Sequence, residues 1–258
     1  MKLVSTALLL LSSLTVFGAG SEATIPLKHV EPDFDDKASL QRGARTYMNY
    51  CLGCHSLQYQ RYQRTAEDLD IPKQLMLEHL IFDQETRIGS LIENSMSESN
   101  AKEWFGASPP DLTLYTSLKG TPDYLYTYLK SFYHDPSRPL GVNNLLYENV
   151  GMPHAWLDLQ GLPRKVCKTK LEADGSTQEP CNTDDIVDGR YMLEVDGKGK
   201  LSPAEYDQLV FDLTNFLYYV AEPTRNERER LGFFVLLFLA FFFVPAYLLG
   251  KEYTKEFH

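Results

Sequence analysis

Cys51-Leu52-Gly53-Cys54-His55 sets two cysteines three positions apart with a histidine directly after the second. Cysteines at this separation lie on neighbouring turns of a helix and can reach both vinyl groups of one porphyrin as thioethers. The next residue then falls beneath the iron as its proximal ligand. On this reading Cys51 and Cys54 attach one haem covalently and His55 ligates its iron. Upstream, Leu40, Ala44, Tyr47 and Cys51 recur at three- and four-residue spacing, which predicts a helix running into the motif.

Other uses of the pattern fit less well. A structural zinc site takes four ligands, usually from two such pairs, and no second Cys-x-x-Cys is present. A thioredoxin-like redox pair belongs in a βαβ setting that this region lacks. Two unattached core cysteines are disfavoured in an exported chain, where free thiols pair or react.

Export is read from the N-terminus. Residues 1–23 place Lys2 before an apolar run through Phe17 and end in small residues, the layout of a secretory signal peptide. The opposite end carries Leu231 to Gly250, uncharged throughout and without a polar face. At about 1.5 Å per residue it is long enough for the roughly 30 Å hydrocarbon core. Arg225, Arg228 and Arg230 precede it and Lys251 and Lys255 follow, a charge balance that mildly favours the reverse topology. Large domains committed to export translocate regardless of such charges, so the signal peptide decides the orientation. The expected division is a signal peptide over 1–23, an exported haem domain over 24–224, a transmembrane anchor over 225–250 and a cytoplasmic tail over 251–258.

Roughly 200 residues remain between the two ends, enough for one domain with its own core. The net charge of −10 and pI near 5.1 exclude a nucleic-acid partner, whose phosphates demand clustered Lys and Arg. An acidic exterior suits a basic protein partner, and Glu31, Asp33, Asp35 and Asp36 are candidate steering charges. Cys167 and Cys181 bracket a hydrophilic loop, and in an oxidising compartment a disulfide is expected there. In the chain-entropy account it is worth about 3 kcal/mol.

Within the domain, Thr121-Pro122 opens a helix with an apolar stripe of Leu125, Leu129 and Phe132. Ser202-Pro203-Ala204-Glu205 is a capping box opening a longer helix that ends before Pro223. Residues 65–84 are weakly helical and broken by Pro72. Tyr191–Val195, between two Asp-Gly pairs, is expected to be half of one hairpin. The expected fold is mainly α, a c-type cytochrome domain with long loops plus one C-terminal transmembrane helix.

The sixth iron ligand has many candidates: Met48, Met76, Met96, Met152, Met192, His29, His79, His134 and His154. Met152 stands out because Gly151-Met152-Pro153 reads as a loop, far enough past the haem motif for the chain to wrap round the porphyrin. A thioether paired with histidine raises the potential of the iron, which suits a carrier near the oxidising end of an electron-transfer chain.

Taken together, the segments resemble cytochrome c1. Arg42-Gly43 through Cys51-Leu52-Gly53-Cys54-His55-Ser56-Leu57 is similar to that family's haem segment, and Gly106-Ala107-Ser108-Pro109-Pro110-Asp111-Leu112 to its Pro-Pro-Asp-Leu signature. Asp123-Tyr124, Gly151-Met152-Pro153, Ala221-Glu222-Pro223 and the apolar tail follow in the family's order. Met152-Pro153-His154-Ala155 stands where mitochondrial members read Met-Ala-Pro-Pro, which makes the chain similar to bacterial members. The resemblance implies one haem c, with Cys51, Cys54, His55, Met152 and Pro110 around the cofactor and His55 and Met152 on the metal. It also implies a single-pass protein of the bacterial inner membrane with its haem domain in the periplasm. The partners implied are cytochrome b, a Rieske iron–sulfur protein as donor, a cytochrome c acceptor and membrane lipid. Electron transfer within ubiquinol–cytochrome c reductase is the implied role, with no independent active site. An anchored carrier cytochrome of another oxidase system is the alternative.

Overall fold

A computed structural model describes residues 25–167 and 191–255. The proposed signal peptide, Cys181 and residues 256–258 lie outside the described residues, so neither export nor the expected disulfide is addressed by the fold.

Helix α1, Lys37–Thr46, begins where Asp36 accepts the amide of Ser39 at 2.9 Å. That satisfies one of the amide groups orphaned at a helix start. One of the four candidate steering carboxylates is therefore occupied as a cap. The chain continues from α1 into a π-helical turn, Tyr47–Cys51, which delivers the first cysteine. Such wider turns cluster at functional sites. The spacing of Leu40, Ala44, Tyr47 and Cys51 could not separate it from ordinary helix, because both patterns recur at three to four residues.

Seven further helices precede the C-terminal one: α2 Tyr62–Asp68, α3 Lys73–His79, α4 Glu98–Phe105, α5 Tyr115–Leu118, α6 Pro122–Leu129, α7 Leu157–Gln160 and α8 Pro203–Ala221. Pro72 caps α3 and so divides residues 65–84 as expected. Three small antiparallel pairs complete the described fold: β1 Leu57–Arg61 with β2 Leu91–Ile92, β3 Phe132–His134 with β4 Val142–Asn144, and β5 Pro163–Cys167 with β6 Tyr191–Val195. The hairpin expected around Tyr191–Val195 is thus real, with β5 as its other strand. Phe132, expected on the stripe of α6, belongs instead to β3, since α6 stops at Leu129.

Helix α8 is the central strut. Its capping box forms in full: Ser202 accepts the amide of Glu205, and the Glu205 carboxylate accepts the amide of Ser202 at 2.8 Å. Its inner face buries Tyr206, Val210, Leu213, Phe216 and Leu217 against Leu40 and Ala44 of α1 and Tyr47 of the π-helical turn. Tyr206 donates to the carbonyl of Leu129 at 3.2 Å, tying α8 to the end of α6. A buried carboxylate, Asp212, is answered by Arg42 at 2.6 and 2.9 Å and by Ser39 at 2.7 Å. This matters because a buried charge survives only when paired and hydrogen-bonded.

The two helices meet at Gly43. A β-carbon there would lie 2.1 Å from the backbone oxygen of Asp212 and 2.6 Å from Cβ of Phe216. Neither obstacle is a flexible side-chain tip, so α1 and α8 would have to move apart. Gly43→Val is expected to cost about 3 kcal/mol and to lower the thermal midpoint of the haem-loaded chain in detergent. An unchanged melting curve would show that the contact between α1 and α8 is looser than its geometry.

Helix α9, Arg225–Lys255, is 31 residues long, uncharged from Leu231 to Gly250, and is not buried against the other described residues. It runs through Pro245 and extends the apolar run expected over Leu231–Gly250 at both ends. Its length and composition fit a membrane span, and the molecule has the expected mainly α form with one such helix at its C-terminal end.

Candidate haem site

His55 leaves the π-helical turn with its ring already oriented. Its Nδ1 lies 2.7 Å from the carbonyl oxygen of Pro110. A carbonyl can only accept, so Nδ1 carries the proton and Nε2 keeps its lone pair. This is the arrangement of a metal-ligating imidazole, where the second nitrogen is fixed by a hydrogen bond that also raises ligand basicity. Burial pushes the His55 pKa down, against the opposing effects of the Pro110 carbonyl and the Asp111 charge. The neutral, ligating form is favoured.

Pro110 is held in turn by a short zipper between two segments. Leu112 donates its amide to the carbonyl of Ser56 at 3.0 Å, and Asp111 accepts the amides of Gln58 at 2.8 Å and Thr113 at 2.9 Å. Leu112 is buried in the core beneath. The Pro109-Pro110-Asp111-Leu112 segment therefore works as a clamp: proline leaves a free carbonyl for His55, aspartate stitches the loops, leucine anchors them. Asn94 closes the other side of the motif, donating from its side chain to the carbonyl of Cys54 at 2.7 Å and from its amide to Ser56 at 3.0 Å. Tyr47 donates its hydroxyl to the carbonyl of His55.

Cys51, Cys54 and His55 form one wall of a cavity of about 420 Å³, within the usual range for cofactor sites. Phe105, Pro109 and Pro110 contribute a second side. Tyr115, Tyr124, Tyr128 and Phe132 enter from α5, α6 and β3, and Gly151 to Trp156 supply a third side. Among the ligand candidates whose side chains are described, Met152 and His154 line this cavity and the others do not. Met48 and Met76 are wholly packed into the core, and His29 faces Asp123 at 3.1 Å on the surface. Met192 has no described side chain. His154 is engaged elsewhere: its Nε2 sits 2.7 Å from Oε1 of Gln160 and its ring stacks on Phe132 at 5.1 Å. Met152 is left as the cavity-facing soft donor.

The cavity fits a large apolar group with a polar edge. Most of its lining is aromatic or aliphatic, and the buried indole nitrogen of Trp156 has no hydrogen-bond partner among the described residues. A buried donor of this kind usually has one. The cysteines do not resemble an exchange-active pair. Such pairs work through thiols whose pKa is lowered, whereas burial pushes Cys51 up to about 12, with Cys54 adding to the effect, and raises Cys54 too. Thioether attachment consumes both thiols and removes that objection.

Sequence reasoning did not reach Asn94, Tyr128 or Trp156. Each acts across a large sequence separation and carries no local motif. The repeat of tyrosines at 124 and 128, one helical turn apart, was the one available sign of an aromatic wall.

Comparison with known proteins identifies the family. Residues 28–257 match the cytochrome C1 family. The chain is 47% identical over 257 residues to cytochrome c1 of Allochromatium vinosum, covering 100% of this chain and 99% of that one. It is 35% identical over 250 residues to a Nitrosomonas europaea protein named ammonia monooxygenase gamma subunit, covering 97% and 96% of the two chains. Cytochrome c1 of Rhodobacter capsulatus is 26% identical over 246 residues, covering 84% and 82%. The match spans the cysteine motif, the clamp on His55, the Met152 loop and the apolar helix alike, and the chain belongs to the cytochrome c1 family.

Proposed function

We propose that this protein passes single electrons from a Rieske iron–sulfur protein to a cytochrome c, beside cytochrome b in ubiquinol–cytochrome c reductase of a bacterial inner membrane. Family membership brings a covalently bound c-type haem and a place in respiratory electron transport. One observation carries the finer reading: Cys51, Cys54, His55 and Met152 all line one largely apolar cavity, with Nδ1 of His55 already engaged by the Pro110 carbonyl. When bound, the haem supplies a one-electron ferric–ferrous couple.

Each chain residue then has a defined task. Cys51 and Cys54 would hold the group by thioethers, keeping it in place even where an edge must reach solvent. His55, steadied by Pro110, and Met152 would ligate its iron. The largely apolar lining lowers the polarity around the group, and together with a thioether ligand this would hold the potential high. The acidic exterior favours encounter with a basic acceptor. Residues 1–23 direct export, and α9 holds the haem domain on the periplasmic face.

The test is chemical. Haem should remain with the polypeptide through denaturation and acid–acetone extraction, and the reduced protein should show the spectrum of a low-spin c-type haem. Haem recovered in the solvent rejects the attachment. For the topology, deleting residues 231–250 should move the protein from the membrane fraction to the soluble periplasmic fraction with its haem still attached. A cytoplasmic, haem-free product would reject the orientation.

A further inference from the structure

The hydroxyl of Tyr128 lies 3.6 Å from the sulfur of Met152, inside hydrogen-bonding distance for a sulfur acceptor. Among the described residues that sulfur is its hydrogen-bond partner. The contact is built rather than incidental. Tyr128 sits on α6, started by Thr121, which accepts the amide of Tyr124 at 3.1 Å. Its ring is gripped on two sides, parallel to Tyr124 with centroids 6.3 Å apart and edge-on to Phe132 at 5.3 Å. Its carbonyl accepts the side chain of Asn144 at 2.8 Å.

The segment that carries Met152 is tied to that same point. Asn143, the neighbour of Asn144, accepts the amide of Asn149 at 2.9 Å. Arg138 donates to both the side chain and the carbonyl of Asn149, at 2.9 and 3.0 Å. Gly151 then passes close to the carbonyl oxygen of Phe105, which a β-carbon would approach to 3.2 Å. The backbone of the methionine loop and the backbone beneath Tyr128 are therefore parts of one hydrogen-bonded unit. A phenol is protonated at neutral pH and so is a hydrogen-bond donor.

We infer that Tyr128 is a positioning and tuning residue for the Met152 ligand, donating a hydrogen bond to the thioether sulfur. The inference rests on the reading of Met152 as an iron ligand. A thioether sulfur has two lone pairs, one for the metal and one free to accept, weakly, from a hydroxyl. A proton donor on the second pair draws electron density from the sulfur and makes it a poorer donor to ferric iron. The ferrous state is then favoured further, beyond what a bare methionine supplies. Losing the hydroxyl should push the couple toward the ferric form.

The test uses the full-length, haem-loaded protein purified from membranes. Tyr128→Phe keeps the ring and its two aromatic contacts and removes only the donor. It is expected to shift the ferric–ferrous equilibrium three- to tenfold toward ferric at fixed ambient potential. A tenfold shift for one electron is 59 mV. The sulfur-to-iron charge-transfer band of the ferric protein should move, while the reduced protein stays closed to carbon monoxide. Tyr126→Phe, on the same helix but outside the cavity, serves as the control and should move neither reading. A Tyr128→Phe protein indistinguishable from that control in both potential and band overturns the inference. So does one that binds carbon monoxide, since the hydroxyl would then be needed for the iron–sulfur bond to exist. Met152→Leu separates the two levels. If it lowers the potential and admits carbon monoxide while Tyr128→Phe is silent, the ligand stands and the tuning role falls. If Met152→Leu changes nothing, both fall.

Discussion

Replacing Cys51 and Cys54 together by serine is expected to abolish covalently bound haem and to reduce the accumulated protein to about a tenth or less. The cavity they help to line has a volume of about 420 Å³. Its lining is largely apolar, and each Å² of it left facing water instead of the cofactor forgoes about 25 cal/mol, against a whole-domain stability of about 5–15 kcal/mol. The π-helical turn, the Met152 loop and α6 all pack against this space, and Cys51 and Met152 also touch the main core. Loss of the group should therefore spread inward. Haem staining and immunoblotting of the same denaturing gel measure both quantities. Haem taken up without thioethers, through His55 and Met152 alone, would come off in acid–acetone. A double variant that accumulates normally and melts like the parent would show that the fold does not depend on its cofactor.

The parts legible in the sequence were those where chemistry restricts spacing. Thioether attachment demands two cysteines three apart and a following histidine, and a capping box demands Ser202 and Glu205 three apart, so both are visible locally. The membrane-type helix is visible because apolar composition over such a length has few other uses. The clamp on His55 was visible only through the family's Pro-Pro-Asp-Leu segment. Nothing in Pro110 itself predicts that its carbonyl will meet a ring 55 positions earlier in the chain. The strands β2, β3 and β4 span two or three residues each, too short for a period of two to be recognised. Phe132 was misplaced for a related reason: its spacing from Leu129 suits a helix, but Lys130 closes α6 and the chain turns into β3. Trp156 and Tyr128 were missed because their importance lies in one atom each, a buried indole nitrogen and a phenol oxygen. No pattern of residue types records which way such an atom points.

Met152→Leu tests the other side of the iron. Leucine nearly conserves the volume of methionine and stays apolar, so the fold and the thioether attachment should survive. On the proposed ligation, what disappears is the soft sulfur that would favour the ferrous state. The midpoint potential should fall by on the order of 0.1 V, a modest part of the roughly 0.8 V that axial ligands can span. The ferrous iron should become five-coordinate and bind carbon monoxide, which the parent should exclude. Met152→His should restore a low-spin, closed iron at a potential still below that of the parent, because imidazole donates more strongly to ferric iron. His154 is poorly placed to take over in the leucine variant. Its Nε2 already faces Gln160 and its ring lies flat on Phe132, so reaching the iron would break both contacts. For that reason the double variant Met152→Leu, His154→Ala should match the single one in carbon monoxide affinity. If Met152→Leu keeps the parent potential and stays closed, the sulfur of Met152 does not reach the iron. His154, the other described candidate lining the cavity, and Met192 would then be the positions to change, and the Tyr128 hydroxyl would have no part in setting the potential.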